Sequence, residues 1–365
     1  MLLSTQNAAF YLMERGWLPP AAVVDGDVTM VEASRRNKNL KVLRNEGPSL
    51  FLKQAGQWDP QSMNTLRVES VVYQLAHSDT PFQALRPLLP RFHGFDSDRH
   101  VLVLEALPGA ESLHVRQLRE NAISPDVARA LGAALGGVHR EVRADRAAAV
   151  VPQGAFKAQP PWILSAAEFA GQPMQGVSGA GLQLFQVLQR YPEFPKLLAE
   201  LRQGWKVETL IHGDIKWDNF LVAAGEDGRH SVHLIDWELA DWGDPSWDAG
   251  AVLQGFLTSW ISSIQATGPI APGEIANFAQ LPLAALRPAI RSFWTAYVEA
   301  LGVDRAEGER RLDRAVRYGA ARMVQTAYEF LQFSTEIAGP AVWLLQMSLN
   351  LLKDPRRGTV ELFAL

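Results

Sequence analysis

Residues 210–248 read LIHGDIKWDNFLVAAGEDGRHSVHLIDWELADWGDPSWD and contain the most informative motifs of the chain. Two short apolar runs within it, FLVA and SVHLI, lie on either side of a Gly-Glu-Asp-Gly turn and predict a β-hairpin. Asp214 and Asn219 precede the first run, and Asp236 follows the second. We therefore expect these three side chains to lie on loops at neighbouring strand ends, where their oxygen atoms can converge.

These three side chains have the chemistry that phosphoryl transfer needs. Mg²⁺ binds hard oxygen ligands and takes only one or two of them from protein carboxylates, leaving phosphates and water to complete its octahedron. A further carboxylate is needed to orient the attacking hydroxyl. A single Asp or Asn in such a segment is more often a turn former, so the ordered set, and not any one residue, predicts a kinase site.

The spacing within this segment is close to that of the kinase catalytic loop, which runs H-R-D-x-x-x-x-N. Here His212-Gly213-Asp214 is followed by Asn219, five residues after the aspartate. The segment resembles the aminoglycoside phosphotransferase and choline-kinase-like family. Members of that family have HGD in place of the HRD motif of protein kinases and a form like IDWE in place of DFG. The motif WGDPSWD, which ends at Asp248, resembles the G-D-P-x-x-D element of that family. The resemblance implies a protein-kinase-like α+β fold that is bilobal, with a small β-rich N-lobe and a large, mostly helical C-lobe.

The resemblance also implies roles for the residues of the motif. Asp214 is expected to be the catalytic base, or the residue that orients the acceptor hydroxyl, and His212 belongs to the same catalytic loop. Asn219 and Asp236 are expected to bind Mg²⁺. Asp248 is expected to be the buried partner that holds this loop through His212. The implied cofactors are ATP, with GTP left open, and Mg²⁺.

The same resemblance assigns two residues upstream. Lys53 ends a predicted strand, and Glu69 lies in the helix that follows. They match the strand lysine that contacts the α- and β-phosphates and the helix glutamate that pairs with it. A lone lysine on a strand is usually solvated, and Glu32 and Glu46 are alternatives for the glutamate. The place of Glu69 beside Val68, on the apolar face of the helix, favours Glu69.

Two further segments are expected to contact the nucleotide. Glu105-Ala106-Leu107 matches the hinge of the family, so the backbone of Glu105 and Leu107 is expected to bind the base. No G-x-G-x-x-G lies between the first two predicted strands. The polar loop found there offers Ser34 and Arg36, with neighbouring basic side chains, as phosphate contacts, or else it is a solvated hairpin tip. The missing glycine loop leaves open an alternative function, a nucleotide-binding pseudokinase that acts as a regulator or scaffold for a partner enzyme.

Lys216 stands two residues after Asp214, as the transfer lysine does in Ser/Thr protein kinases. Its ammonium is expected to neutralise charge that builds on the transferred γ-phosphoryl group. The alternative interpretation is an ordinary surface lysine in a loop.

The acceptor has two candidate classes. The motifs SRRN and DWELA resemble those of the kinase components of lanthipeptide- and thioamitide-type biosynthesis. Those kinases phosphorylate Ser or Thr of a precursor peptide before a separate lyase eliminates the phosphate. A peptide acceptor and a lyase partner follow from that resemblance. An aminoglycoside-like small molecule is the other class, because Glu238, Asp241 and Asp244 suit a polycation. Six arginines between residues 305 and 322 suit an acidic or peptide partner better, although a charge-rich helix is more often a solvated face.

Composition sets the remaining limits. The chain has 365 residues, no cysteine and a net charge of −4. The lack of cysteine excludes disulfide scaffolds, thiolate metal sites and cysteine catalysis. The charge balance gives no attraction for nucleic acid or an anionic membrane over the whole chain, and no stretch reaches the ~18 apolar residues of a membrane span. We therefore expect a cytoplasmic protein that binds neither nucleic acid nor a membrane.

The pattern along the chain predicts an N-lobe over residues 1–105 and a C-lobe over residues 106–365. The predicted elements of the N-lobe are strands over 28–33, 40–43, 49–54 and 100–104 and a helix over 65–76. Those of the C-lobe, apart from the hairpin, are helices over 125–143, 182–202, 305–333 and 341–353, with a surface connection over 147–181.

Overall fold

A computed structural model of the protein describes residues 2–33, 38–56, 59–168, 177–224, 230–265, 274–337 and 339–365. The chain divides into two compact units. The first unit combines Met1–Ser112, Arg146–Phe156 and Asn219–Ala240, and the second combines Leu113–Asp145, Lys157–Asp218 and Asp241–Leu365. Both units are therefore discontinuous in sequence. The division into two continuous lobes at residue 105 stays a prediction.

The strands form antiparallel sheets. The main sheet of the first unit has the order β1-β2-β3-β5-β4 and consists of β1 (Thr29–Glu32), β2 (Lys38–Leu43), β3 (Leu50–Gln54), β4 (Phe92–Asp96) and β5 (Val101–Glu105). A second sheet of this unit has the order β6-β8-β9 and consists of β6 (Glu111–Ser112), β8 (Phe220–Ala224) and β9 (His230–Leu234). In the second unit, β7 (Thr209–Ile211) pairs with β10 (Asp241–Gly243).

The helices of the first unit are α1 (Ala8–Glu14), α2 (Pro20–Val24) and α3 (Pro60–Ala76). The second unit contains α4 (Leu113–Glu120), α5 (Pro125–Glu141), α7 (Gly179–Arg190), α8 (Glu193–Gln203), α9 (Pro245–Ser262), α10 (Leu283–Leu301), α11 (Arg305–Phe330), α12 (Pro340–Lys353) and α13 (Pro355–Gly358). The residues of the short helix α6 (Ala144–Ala147) are divided between the two units. Within the described ranges, no helix combines the length and the apolar character that crossing a bilayer requires.

Strand β3 places Lys53 through the alternation of its side chains. Successive residues of a strand point to opposite faces of the sheet. Leu50 and Leu52 are buried in the core that the sheet forms with α1, which contributes Tyr11 and Leu12. Lys53 therefore points away from that core, and the opposite face is where it meets α3.

Helices α9 and α11 of the second unit touch backbone to backbone. A Cβ atom on Gly250 would clash with the carbonyl oxygen of Ala315 and would lie 2.7 Å from the backbone nitrogen of Gly319. Helices α5 and α10 approach each other in the same way at Gly132 and Gly136. Glycine is required at these helical positions because any side chain would meet backbone, which cannot move aside as a flexible side chain can.

Replacing Gly250 with alanine is expected to destabilise the protein by up to about 2 kcal/mol, because overpacking at a tight contact costs about 1–3 kcal/mol and the gain in helix propensity offsets about 1 kcal/mol of that. Gly137 on α5 is the matched control, since a Cβ atom there would meet nothing within 4 Å. Gly137→Ala is expected to be neutral or stabilising. Urea unfolding followed by circular dichroism measures both, and equal stability of the two variants would contradict the packing argument.

The predicted α+β fold class is confirmed by the small antiparallel sheets and the mostly helical remainder. Strands β3 and β5 and helix α5 occur close to their predicted bounds. The single helix predicted over 182–202 is wrong, because α7 ends before Tyr191-Pro192 and α8 begins after it, and proline lacks the N–H that a helix interior needs. The predicted connection over 147–181 contains a 3₁₀ segment, Trp162–Glu168, and its residues 169–176 lie outside the described part of the chain.

Candidate active site

The first unit places Lys53 among three carboxylates. The Lys53 Nζ atom lies 2.6 Å from Glu69 Oε2 and 3.9 Å from Glu238 Oε2, and it also contacts Asp236 Oδ1. Lys53 comes from β3, Glu69 from α3, and Asp236 from the loop that follows β9. Lys53 and Glu69 are buried. The structure therefore brings together three of the residues that the sequence singled out.

Burial and neighbouring charges together set the ionisation of Lys53 and Glu69. Burial alone would lower the pKa of Lys53, but Glu69 and Asp236 raise that pKa above its ordinary value, so the ammonium stays charged. Burial also raises the pKa of Glu69, an effect that Lys53 opposes and Asp236 supports. Lys53 therefore stays a charged group that is paired with the buried Glu69 and contacts Asp236.

Asn219 and Asp236 lie at the same end of the β8–β9 hairpin. Phe220 of β8 pairs with Leu234 of β9, and the backbone N–H of Ile235 donates to the carbonyl oxygen of Asn219 at 2.9 Å. Asp236 has a φ of 68°, in the left-handed region that aspartate adopts more readily than most residues. The hairpin thus places an amide and a carboxylate side chain at one strand end, as the sequence pattern indicated.

The donor set at this hairpin end fits Mg²⁺. Asn219 and Asp236 offer amide and carboxylate oxygens, which are the hard ligands that the ion prefers. Over the residues that the structure describes, no group of three or more His, Asp or Glu side chains could hold a metal ion. A Mg²⁺ ion held by these two residues would take its remaining ligands from phosphate and water.

In the second unit, Asp248 in the first turn of α9 fixes the loop that follows β7. Its buried carboxylate accepts hydrogen bonds from the backbone N–H groups of His212 at 2.6 Å and Gly213 at 3.1 Å. Gly213 has a φ of 81°, a value that favours glycine, and its carbonyl accepts from Trp247 Nε1 at 3.2 Å. Asp248 therefore holds the path of the loop through the backbone N–H groups of His212 and Gly213.

Asp214, on this loop, is held by a cation on each carboxylate oxygen. Arg322 Nη2 donates to Oδ1 at 2.7 Å, and Lys216 Nζ donates to Oδ2 at 2.6 Å. The backbone N–H of Asp214 donates to His212 Nδ1 at 3.2 Å. Burial alone would raise the pKa of Asp214, but Arg322 and Lys216 lower it below its ordinary value. The carboxylate therefore stays ionised and suited to accept a hydrogen bond from a hydroxyl group.

Arg322 is the residue of this site that the sequence did not reveal. It belongs to the arginines between 305 and 322, which suggested a solvated helix face or an acidic partner, yet it is 1% exposed. One signal could have found it, because it stands in the apolar run Ala-Ala-Arg-Met-Val, where a solvated arginine is out of place.

Both sets of charged residues that suggested an acceptor class contact other residues of the same chain. The remaining arginines of α11 form the ion pairs Arg305–Glu309, Arg310–Glu307, Arg311–Glu208, Arg314–Asp244 and Arg317–Asp313. Among the acids proposed for a polycation, Glu238 faces Lys53, Asp241 accepts from the N–H of Ala158 at 2.7 Å, and Asp244 is buried. Neither set therefore favours one acceptor class.

Four further residues were predicted to contact the nucleotide, and the structure describes only two of them, Glu105 and Leu107. Ser34 and Arg36 lie outside the described residues. Glu105 is the last residue of β5, and the carbonyl oxygen of Leu107 accepts from the N–H of Ala110 at 3.2 Å. Base binding by Glu105 and Leu107 stays a prediction.

Comparison with known proteins shows the class to which this fold and these residues belong. The model of the APH family, described as the phosphotransferase enzyme family, matches residues 29–315. The chain belongs to this family. No curated protein matches the chain significantly.

Several solved structures share the fold. One is the GDP and kanamycin complex of APH(2")-IIia, with 15% identity, a TM-score of 0.54 and coverage of 96% of this chain and 98% of that chain. Another is a choline/ethanolamine kinase family protein from Mesorhizobium loti, with 14% identity, a TM-score of 0.51 and coverage of 96% and 94%. A third is the GDP complex of a mutant aminoglycoside 2'-phosphotransferase-IIIa, with 14% identity, a TM-score of 0.51 and coverage of 98% and 99%.

Family membership confirms the predicted enzyme class. The protein is a phosphotransferase.

Proposed function

We propose that the protein is a Mg²⁺-dependent kinase that moves the γ-phosphoryl group of ATP to a hydroxyl acceptor by means of Lys53, Asp214, Asn219 and Asp236. The observation that carries this proposal is the simultaneous contact of the buried Lys53 ammonium with Glu69 and Asp236. A charged ammonium fixed in this way suits phosphate oxygens, and the carboxylate beside it suits the metal ion that neutralises them.

The roles in the first unit follow from that cluster. Lys53 contacts the α- and β-phosphates, and Glu69 holds Lys53 in place. Asn219 and Asp236 hold Mg²⁺, which when bound neutralises phosphate charge and orients the triphosphate. Contacts of the backbone at Glu105 and Leu107 with the base, and of Ser34 and Arg36 with phosphate, complete the proposed nucleotide site, with GTP as an alternative to ATP.

The roles in the second unit belong to the loop after β7. Asp214 accepts the hydrogen bond of the acceptor hydroxyl and orients its oxygen for attack. Lys216 supplies a positive charge for the transferred phosphoryl group. His212 and Asp248 support the backbone of the loop.

The acceptor is proposed to be a small molecule or Ser/Thr of a peptide. The small molecule is supported by family membership and by the chemistry of Asp214, which needs only a hydroxyl donor. The peptide is the second candidate because Lys216 stands two residues after Asp214, as the transfer lysine does in Ser/Thr protein kinases, and its Nζ lies 2.6 Å from Asp214 Oδ2. A lyase partner belongs to that second candidate only, and a cytoplasmic location stays a prediction for both.

Phosphate transfer to a panel of acceptors tests the proposal. The protein is incubated with ATP and Mg²⁺ and with kanamycin, a macrolide, choline, ethanolamine or Ser/Thr-containing peptides, and the products are analysed by mass spectrometry for added phosphate. Phosphorylation of a small molecule or of a peptide hydroxyl identifies the acceptor class. Tight Mg²⁺·ATP binding without any phosphorylated product would contradict the proposal and favour a pseudokinase.

Replacing Asn219 with alanine is expected to raise the Mg²⁺ concentration needed for half-maximal activity by at least about tenfold, because one of two protein ligands is lost. Asn45→Ala is the control, since Asn45 is an exposed asparagine of the same unit and should leave the requirement unchanged. Initial rates across a Mg²⁺ titration at fixed ATP give the result. Superimposable titrations of the Asn219 variant and the wild type would remove Asn219 from the metal site.

A further inference from the structure

The two oxygens of Asp214 have partners of different character. Arg322, which bonds to Oδ1, is 1% exposed, whereas the side chain of Lys216, which bonds to Oδ2, is 40% exposed. A guanidinium is a planar and rigid group of donors, and a lysine ammonium is a point charge on a flexible stem. The bond to Oδ1 is therefore the fixed one, and the bond to Oδ2 is the one that can exchange.

A second carboxylate fixes the far side of Arg322. Arg322 Nη1 donates to Glu329 Oε1 at 2.9 Å, and Gln325 Nε2 donates to the same oxygen at 3.1 Å. The guanidinium thus bridges Asp214 and Glu329. A bridge of this kind restricts the guanidinium more than a single ion pair does, because both ends must move together.

Helix packing fixes the backbone that carries Arg322. Gly319 and Gly250 form the backbone contact between α11 and α9, and Arg322 follows Gly319 by about one helical turn. Asp248, which holds the loop of Asp214, stands two residues before Gly250 on α9. Both Arg322 and the loop of Asp214 are therefore positioned by the same helix, α9.

We propose that Arg322 is the positioning residue of Asp214 and that Oδ2, the oxygen shared with Lys216, is the one that receives the acceptor hydroxyl. The inference rests on the proposed function. In the transfer step the hydroxyl oxygen bonds to the γ-phosphorus, and the bond from that phosphorus to the β,γ-bridging oxygen breaks. The bridging oxygen keeps the electron pair and leaves with ADP. The hydroxyl proton passes to Oδ2 and then to water, while Arg322 keeps Oδ1 in place.

The contact between Arg322 and Asp214 is tested by a double-mutant cycle in urea unfolding, which requires no activity assay. The variants are Arg322→Met, which keeps most of the side-chain volume, Asp214→Asn, and both together. The fall in the unfolding midpoint of the double variant is expected to be clearly smaller than the sum of the two single falls. Additive falls would overturn the positioning contact, whether or not the protein proves active.

Kinetics separate positioning from simple stabilisation. Arg322→Met is expected to lower kcat per folded enzyme by about 100-fold, with the KM for ATP unchanged, and Arg322→Lys to recover about tenfold. Arg317→Met is the control, because Arg317 lies on the same helix in a surface ion pair with Asp313. An unchanged kcat per folded enzyme in Arg322→Met would show a merely structural role and overturn the proposal.

The assignment of Oδ2 has its own test. Lys216→Met is expected to lower kcat while leaving the KM for the acceptor equal or lower, because a donor that competes with the acceptor hydroxyl is removed. A clear rise in the acceptor KM would overturn the assignment. If the wild type phosphorylates no acceptor while the unfolding cycle shows coupling, the proposed function fails and the positioning contact stands.

Discussion

Replacing Asp214 with asparagine is expected to lower kcat by about 10²–10⁴-fold, the usual effect of a group that handles the proton of the nucleophile. Asparagine keeps the shape of the side chain but loses the negative charge. The buried Arg322 and the nearby Lys216 would then face a neutral amide, so the acceptor hydroxyl would lose the anionic oxygen that orients it. The KM for ATP should change little, because the proposed nucleotide contacts lie on other residues.

Steady-state kinetics with the acceptor identified by the panel measure this effect. Asp145→Asn serves as the matched control, because it removes one exposed carboxylate of the same unit from a surface pair with Arg143, and such pairs contribute little. Nucleotide binding by the Asp214 variant, followed by fluorescence or calorimetry, shows that the protein is folded. A folded Asp214 variant with wild-type turnover would remove Asp214 from the reaction.

The fold could be predicted where local pattern and tertiary burial agree. The strand Leu-Phe-Leu-Lys and the strand Val-Leu-Val-Leu are short apolar runs bounded by turn residues, and both occur in the main sheet as β3 and β5. Strand β4 reads Phe-His-Gly-Phe-Asp and has neither β-branched residues nor a clean alternation. It forms a strand because it pairs with β5. A local window of sequence does not contain this pairing.

The candidate site shows the same limit. The spacing of Asp214, Asn219 and Asp236 could be recognised because all three lie in one 23-residue segment around a hairpin. Arg322 lies 108 residues from Asp214 in sequence, and the two meet in the folded chain, where α11 packs on α9 at Gly319 and Gly250. The ion pairs of the α11 arginines could not be predicted for the same reason. Arg311, for example, forms an ion pair with Glu208, which lies 103 residues away in sequence. No local sequence pattern predicts that pair.

Replacing Lys53 with methionine is expected to abolish most activity and also to destabilise the protein by about 3–5 kcal/mol, the usual effect of removing one partner from a buried ion pair. Methionine fills the space of the lysine stem but leaves Glu69 buried without its cation. Lys41→Met is the control, because Lys41 is an exposed lysine of the same sheet. It should change neither activity nor the urea midpoint.

The double variant Lys53→Met with Glu69→Leu separates the two effects of Lys53. Replacing both members of a buried ion pair with apolar residues is often nearly neutral for stability, so the urea midpoint is expected to return towards the wild-type value. Activity is expected to stay lost, because no ammonium remains to contact phosphate. Recovery of both stability and activity would show that Lys53 serves only to neutralise Glu69. Recovery of stability alone would indicate that the buried lysine is retained for the nucleotide, since the core of the first unit can be stable without it.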